Sequence, residues 1–267
     1  MKDIPIPIYS GKAEDFHWVG FGSGSGTNLR ECAKIIPPSA IFCDRPSADL
    51  LSLDELAGVP KIVMNGYQEC GSWKKSRGND EAEAAYREKS VIFNRKIVQA
   101  LDDFEQENNI KIDLIVLGGY MRLVELPLLM AFADRIINVH PADLNKLARG
   151  RRKYIGEDAV YDAVRQGEAE TRSSVIMVDG GMDNGEILTQ GKSVKIPDYG
   201  PNVNLRELSD AHQDRQKIES DWPALTTALQ FISEGRIALG STKKHRKKWR
   251  AVHIDGTPMP YHGLRLE

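Results

Sequence analysis

The stretch I-D-L-I-V-L-G-G-Y, Ile112 to Tyr120, limits the fold more than any other. It is a nearly unbroken apolar run that stops on two glycines. A strand without polar alternation has no solvent face, so it must be buried on both sides, as the strands of parallel sheets are. Arg135–His140 (R-I-I-N-V-H) and Ser173–Val178 (S-S-V-I-M-V) read the same way. Shorter strand-like runs occupy His17–Gly22, Ser39–Cys43, Lys61–Met64 and Ile187–Thr189.

Helical periods lie between these runs. Glu81–Asn108 is the clearest, with Val91, Ile92, Ile97, Val98 and Leu101 at helical spacing. Helices are also expected after the glycines of G-S-G-S-G-T-N-L, over Leu126–Asp134 with Pro127 in the first turn, over Glu157–Gln166 and over Trp222–Gly235. Gln68–Asp80 is polar and contains glycine, and reads as a loop. Strands alternating with helices predict an α/β protein: a Rossmann-like, mostly parallel sheet flanked by helices. Residues 1–16, where Pro alternates with Ile, read as an extended arm, 17–235 as one domain, and 236–267 as a C-terminal extension with a hairpin.

Composition narrows the function. A chain of 267 residues with 41% hydrophobic residues can bury a substantial core. Its net charge of -2 offers no overall cationic field for nucleic acid or an anionic membrane. The basic run at 241–250 has Trp249 as its one aromatic, so no nucleic-acid partner is expected. The N-terminus lacks the charged-then-apolar pattern of a signal peptide, and no apolar run is long enough to span a bilayer. Three cysteines without C-x-x-C spacing suggest neither a disulfide framework nor zinc. A cytoplasmic enzyme or binding protein without a metal is the expectation.

Three segments could carry chemistry. Gly22–Leu29 lies between a strand and a helix, where backbone N–H groups and a helix N-terminus can hold an anion. It lacks the spacing of a dinucleotide or Walker loop, which favours a single phosphate, and it equally fits a plain turn capped by Thr27 or Asn28. Asn138 and His140 close a buried strand with the same side-chain parity, and Pro141 ends the ladder. A histidine there can be merely hydrogen-bonded, or it can work as an acid–base if a carboxylate orients it. D-G-G-M-D-N-G-E, Asp179–Glu186, follows another buried strand and offers Asp179, Asp183 and Glu186 as partners. Parity and spacing alone do not choose among the three.

The order of these segments resembles the folate-dependent formyltransferases, most closely those of purine synthesis. The blocks that carry it are G-S-G-T-N-L (Gly24–Leu29), L-G-G-Y-M-R-L-V (Leu117–Val124), I-N-V-H-P (Ile137–Pro141) and M-D-N-G-E-I-L-T-Q (Met182–Gln190). The resemblance implies Asn138, His140 and Asp183 as catalytic residues. It implies phosphate binding by Ser25, Gly26, Thr27 and Asn28, and folate binding by Met121, Arg122, Leu123, Val124 and Asp179. It further implies 10-formyltetrahydrofolate as co-substrate, no metal, a small phosphorylated amine as acceptor, and a monomer or homodimer. The acceptor named first is glycinamide ribonucleotide. Another nucleotide or sugar amine, hydrolysis of 10-formyltetrahydrofolate, and a phosphate-binding module without catalysis are the alternatives.

The chain departs from the family in places. The loop after His140-Pro141 is long and carries Arg149, Arg151, Arg152 and Lys153, which reads as a surface loop or as a lid toward an anionic substrate. Glu219 stands one residue out of register with the family's ribose-holding acid. The D-N-G-E form of the acidic loop is nearer to formyltransferases acting on methionyl-tRNA or amino sugars.

Overall fold

The computed structural model describes residues 4–241 and 249–267. The fold is α/β with a mixed, mostly parallel sheet. The chain forms two compact units, Phe16–Ile137 and Met1–Asp15 with Asn138–Glu267.

In Phe16–Ile137, four parallel strands lie in the order Leu114–Leu117, Trp18–Gly22, Ala40–Cys43, Lys61–Val63. Every residue of the first three is buried, which is why their sequences show no alternation. The helix Asp80–Asn108 starts where Asn79 Oδ1 accepts the Ala82 N–H at 2.9 Å. Asp80, Glu81 and Glu83 complement the positive end of its dipole. It ends at Asn109, which takes the left-handed conformation that asparagine tolerates. Tyr86, Ser90, Phe93, Ile97, Leu101 and Phe104 form its buried stripe, whereas Ile92 faces outward. Asn94, also buried, donates to the Ser90 and Leu123 carbonyls and accepts the Glu125 N–H at 3.0 Å, so this helix fixes the chain after Tyr120.

The expected loop at Gln68–Asp80 instead lies in a region with two short helices, Gly66–Cys70 and Trp73–Ser76. Asn65 and Ser72 cap them by accepting the N–H groups of Gln68 and Lys75. One-turn helices set by caps leave no apolar period to read.

In the other unit, the end of strand Ile136–His140 is followed across the sheet by Ser174–Met177, then Ile187–Gln190, antiparallel to it, then Leu264–Arg265, parallel to that. A smaller antiparallel sheet joins Ile6–Pro7, Ile237–Leu239, Val252–Ile254 and Thr257–Pro258, so the arm pairs with the C-terminal segment. Most of the basic run, 242–248, lies outside the described residues. Helix Leu205–Gln216, which the sequence did not announce, is capped by Asn204 and buries Ser209, His212 and Gln216. It passes through a π-turn at Lys217–Asp221 into Trp222–Ser233. Among the described residues, no helix is long and apolar enough to cross a membrane.

Candidate active site

Strand Ile136–His140 delivers Asn138 and His140 to its carboxyl end, two residues apart and therefore on the same face. Asn138 is half-buried and His140 is 5% exposed. The chain then turns at Pro141. Ser174 braces the turn, donating to the Ala142 carbonyl and accepting the Leu144 N–H. Asp143 accepts from the Asn145 N–H and from Gln190.

Both ring nitrogens of His140 face acceptors. Nε2 is 3.0 Å from the Tyr154 carbonyl oxygen, to which it donates, and Nδ1 is 3.5 Å from Asp183 Oδ1. The second distance is long for a hydrogen bond but within ion-pair reach. Such contacts are often loose before substrate binds. The other oxygen of Asp183 accepts the Gly156 N–H at 2.8 Å. Thus one loop, through Tyr154 and Gly156, touches both members of the pair.

Asp183 itself has φ +46, a left-handed conformation that aspartate adopts more readily than most side chains. Gly185 explains the local D-N-G pattern. A Cβ there would lie 1.8 Å from the Met177 carbonyl oxygen, so only glycine lets the loop approach the preceding strand.

The other two acids serve elsewhere. Asp179 accepts the Gly181 N–H at 2.8 Å and the Asn184 amide at 2.9 Å, which folds its own loop. Glu186 is buried, with Arg250 bonding both carboxylate oxygens and adding its backbone N–H. Burial works to raise the Glu186 carboxyl, but Arg250 outweighs it and holds it below its ordinary value. Asp183 is the acid that faces His140.

The long loop contains a hairpin, Leu147–Ala148 with Arg151–Arg152, turned by Arg149 and Gly150, both at positive φ as the tight two-residue turn requires. Arg149 and Arg151 are exposed. Lys153 pairs with Glu168 at 2.9 Å, and Arg152 is 9% exposed. Sequence reasoning placed Arg152 among the loop cations and did not anticipate its burial. It also missed Asp221, fully enclosed beside Ser173, whose hydroxyl bonds it. Burial holds the Asp221 carboxyl above its usual value against the opposing pull of Ser173, Lys217 and His140. Glu219 is engaged by Lys192 at 3.1 Å and Arg215 at 3.6 Å.

In Phe16–Ile137 the glycine loop has its own geometry. The N-cap of helix Thr27–Ile35 is Gly26, at φ +70 and without a side-chain cap bond, rather than Thr27 or Asn28. Asn28 Oδ1 is enclosed without a hydrogen-bond partner, and Ser25 is exposed. Such a turn presents first-turn N–H groups suited to an anion.

The segment after Tyr120 lies in the same unit. Met121 is exposed, its N–H donating to Ser23 Oγ at 3.0 Å, and Leu123 and Val124 are half-buried. The Arg122 guanidinium pairs with buried Asp44 at 2.5 Å and donates to the Gly71 carbonyl at 3.2 Å. Arg122 lines a cavity of about 460 Å³ with Asp44, Arg45, Asn65 and Tyr67. Among the described residues, no group of three or more His, Cys, Asp or Glu is placed to hold a metal ion.

Comparison with known proteins bears on this arrangement. A family profile described as Formyl transferase matches residues 22–214. The phosphoribosylglycinamide formyltransferase of Bacillus subtilis (strain 168) is 28% identical over 209 residues, covering 76% of this chain and 88% of that one. The enzyme of that name from Escherichia coli (strain K12) is 27% identical over 250 residues, covering 92% and 96%. In fold, the chain is similar to the solved phosphoribosylglycinamide formyltransferase of Coxiella burnetii, with a TM-score of 0.64 at 22% identity over 94% of this chain and 99% of that one.

Proposed function

The chain belongs to the formyl transferase family, and from that premise we propose that it moves a formyl group from 10-formyltetrahydrofolate to the primary amine of phosphoribosylglycinamide. The observation that carries this reading is the approach of Asp183 to His140, 3.5 Å apart, with His140 on a strand that also presents Asn138. The names of the Bacillus subtilis and Escherichia coli relatives support the choice of acceptor.

The substrate amine attacks the formyl carbon, and its nitrogen forms the new C–N bond. The tetrahedral intermediate carries an oxyanion, which the Asn138 amide and protonated His140 stabilise as donors. In the structure the His140 Nε2 proton goes to the Tyr154 carbonyl. A developing oxyanion is charged and is the stronger acceptor, so it draws that proton away as it forms. Asp183 stabilises the imidazolium and assists proton movement from the attacking amine to N10 of the folate. The bond from the formyl carbon to N10 then breaks, giving tetrahydrofolate and the formylated amine. Ser25, Gly26, Thr27 and Asn28 bind the acceptor phosphate at the helix N-terminus. Folate contacts fall to Met121, Arg122, Leu123 and Val124 and to Asp179; in the structure the Arg122 guanidinium is held by Asp44.

A folate-release assay followed by absorbance tests this. Turnover is expected with 10-formyltetrahydrofolate plus phosphoribosylglycinamide, and not with either alone. Release of formate without the amine would establish hydrolysis instead, and folate binding without turnover would exclude this acceptor.

A further inference from the structure

Asp183 sits at a backbone angle that few residues adopt, in a loop of glycines with little apolar anchorage. Something must hold it there if it is to meet His140 reproducibly. The donors that do so come from two distant parts of the sequence. The buried Arg152 guanidinium donates through Nη1 to the Asp183 carbonyl and through Nη2 to the Gly185 carbonyl at 2.7 Å. The carbonyl between them, of Asn184, accepts the Trp249 indole N–H. Three successive carbonyls of the catalytic loop are therefore bonded, and the carboxylate of the next residue, Glu186, is bonded by Arg250.

The guanidinium is itself confined. Its Nε donates to Tyr261 Oη at 3.0 Å. The Trp249 and Tyr261 ring centroids lie 5.0 and 5.8 Å from its central carbon, and the two rings are 4.7 Å apart. All three nitrogens of the fork have acceptors, and aromatic faces hold its plane. A lysine ammonium, being a compact point charge, could not bond two carbonyls two residues apart and a phenol at once.

We infer that Arg152 is a positioning residue for formyl transfer, and that Trp249 and Tyr261 of the C-terminal segment complete the device by locking its guanidinium. Arg152 sets the backbone of Asp183, and Asp183 sets the imidazole. The inference rests on the proposed role of Asp183. It also gives the basic loop and the C-terminal segment a function other than binding an anionic substrate.

The test is a double-mutant cycle in formyl transfer, with thermal unfolding measured on each variant. Arg152→Lys is expected to lower kcat about 10²-fold, the cost of displacing a catalytic group by roughly 1 Å, with both KM values within about 3-fold of wild type. In an Asp183→Asn background the same change is expected to cost nothing further, because the group it positions is already disabled. Trp249→Phe, which keeps the ring and loses the N–H, is expected to lower kcat by about 3–10-fold on the same logic. It supplies the readout if Arg152→Lys does not fold. Full activity in Asp183→Asn would remove the reading of Asp183 and this inference with it. Impaired Asp183→Asn beside an Arg152→Lys or Trp249→Phe variant with wild-type kcat would overturn the inference alone. So would losses that add in full to that of Asp183→Asn.

Discussion

Substituting Gly185 by alanine gives the sharpest prediction. Its Cβ would lie 1.8 Å from the Met177 carbonyl oxygen and 2.6 Å from the carbonyl carbon. A carbon–oxygen contact relaxes at about 3.3 Å. One backbone must therefore retreat from the other by roughly 1.5 Å. Met177 is in a fully buried strand, and its N–H bonds the Glu186 carbonyl at 2.9 Å, so the catalytic loop is the part that yields. The strain falls at the upper end of overpacking, about 3 kcal/mol, which lowers Tm by roughly 6–12 °C in a chain of this size. The loop shift carries Asp183 away from His140 and lowers kcat about 10²-fold, measured well below the new Tm. A Gly185→Ala protein with wild-type Tm and kcat would refute this account of the loop.

Three further outcomes are expected. Hydrogen bonds from Lys146, Tyr154 and Lys153 outweigh burial and hold the Glu168 carboxyl at about 2, against an ordinary 4.5. Glu168 therefore adds stability, on the order of 1–3 kcal/mol, that is present above pH 4.5 and lost as pH falls toward 2. Urea melts across that window are expected to be flatter for Glu168→Gln. Burial, with help from Arg215, lowers His212 from 6.5 to about 4, so the unfolded chain binds the proton more readily and stability declines as pH falls from 6.5 toward 4. His212→Gln is expected to lessen that decline in the same melts. Arg122→Met would leave buried Asp44 without its cation, at a cost of about 3–5 kcal/mol. Chemical denaturation should show it, and a change below 1 kcal/mol would mean the pair is not doing this.

The parallel strands were legible because a strand buried on both faces must be continuously apolar, as Leu114–Leu117 and Ala40–Cys43 are. The long helix was legible from its period, although Ile92 fits that period on paper and faces solvent in the fold. Helix Leu205–Gln216 was not legible, because the face it buries is polar. His212 and Gln216 meet Thr171 in a hydrogen-bonded network that no hydropathy pattern shows. The choice among Asp179, Asp183 and Glu186 depended on partners far away in sequence, Gly156 and Arg250 among them. Arg152 looked like one more surface cation because its acceptors are main-chain carbonyls, which every residue carries. The glycine turn was legible, but its cap was not, since the left-handed Gly26 does the work assigned to Thr27 or Asn28.

The most direct test is a single-turnover measurement of labelled formyl transfer to phosphoribosylglycinamide by wild type, His140→Ala and Asp183→Asn, each with its folate affinity measured. Transfer by wild type, with losses of about 10²–10³-fold in both variants at unchanged folate affinity, is the predicted result. Transfer at the wild-type rate by either variant would contradict the assignment of the chemistry to this pair.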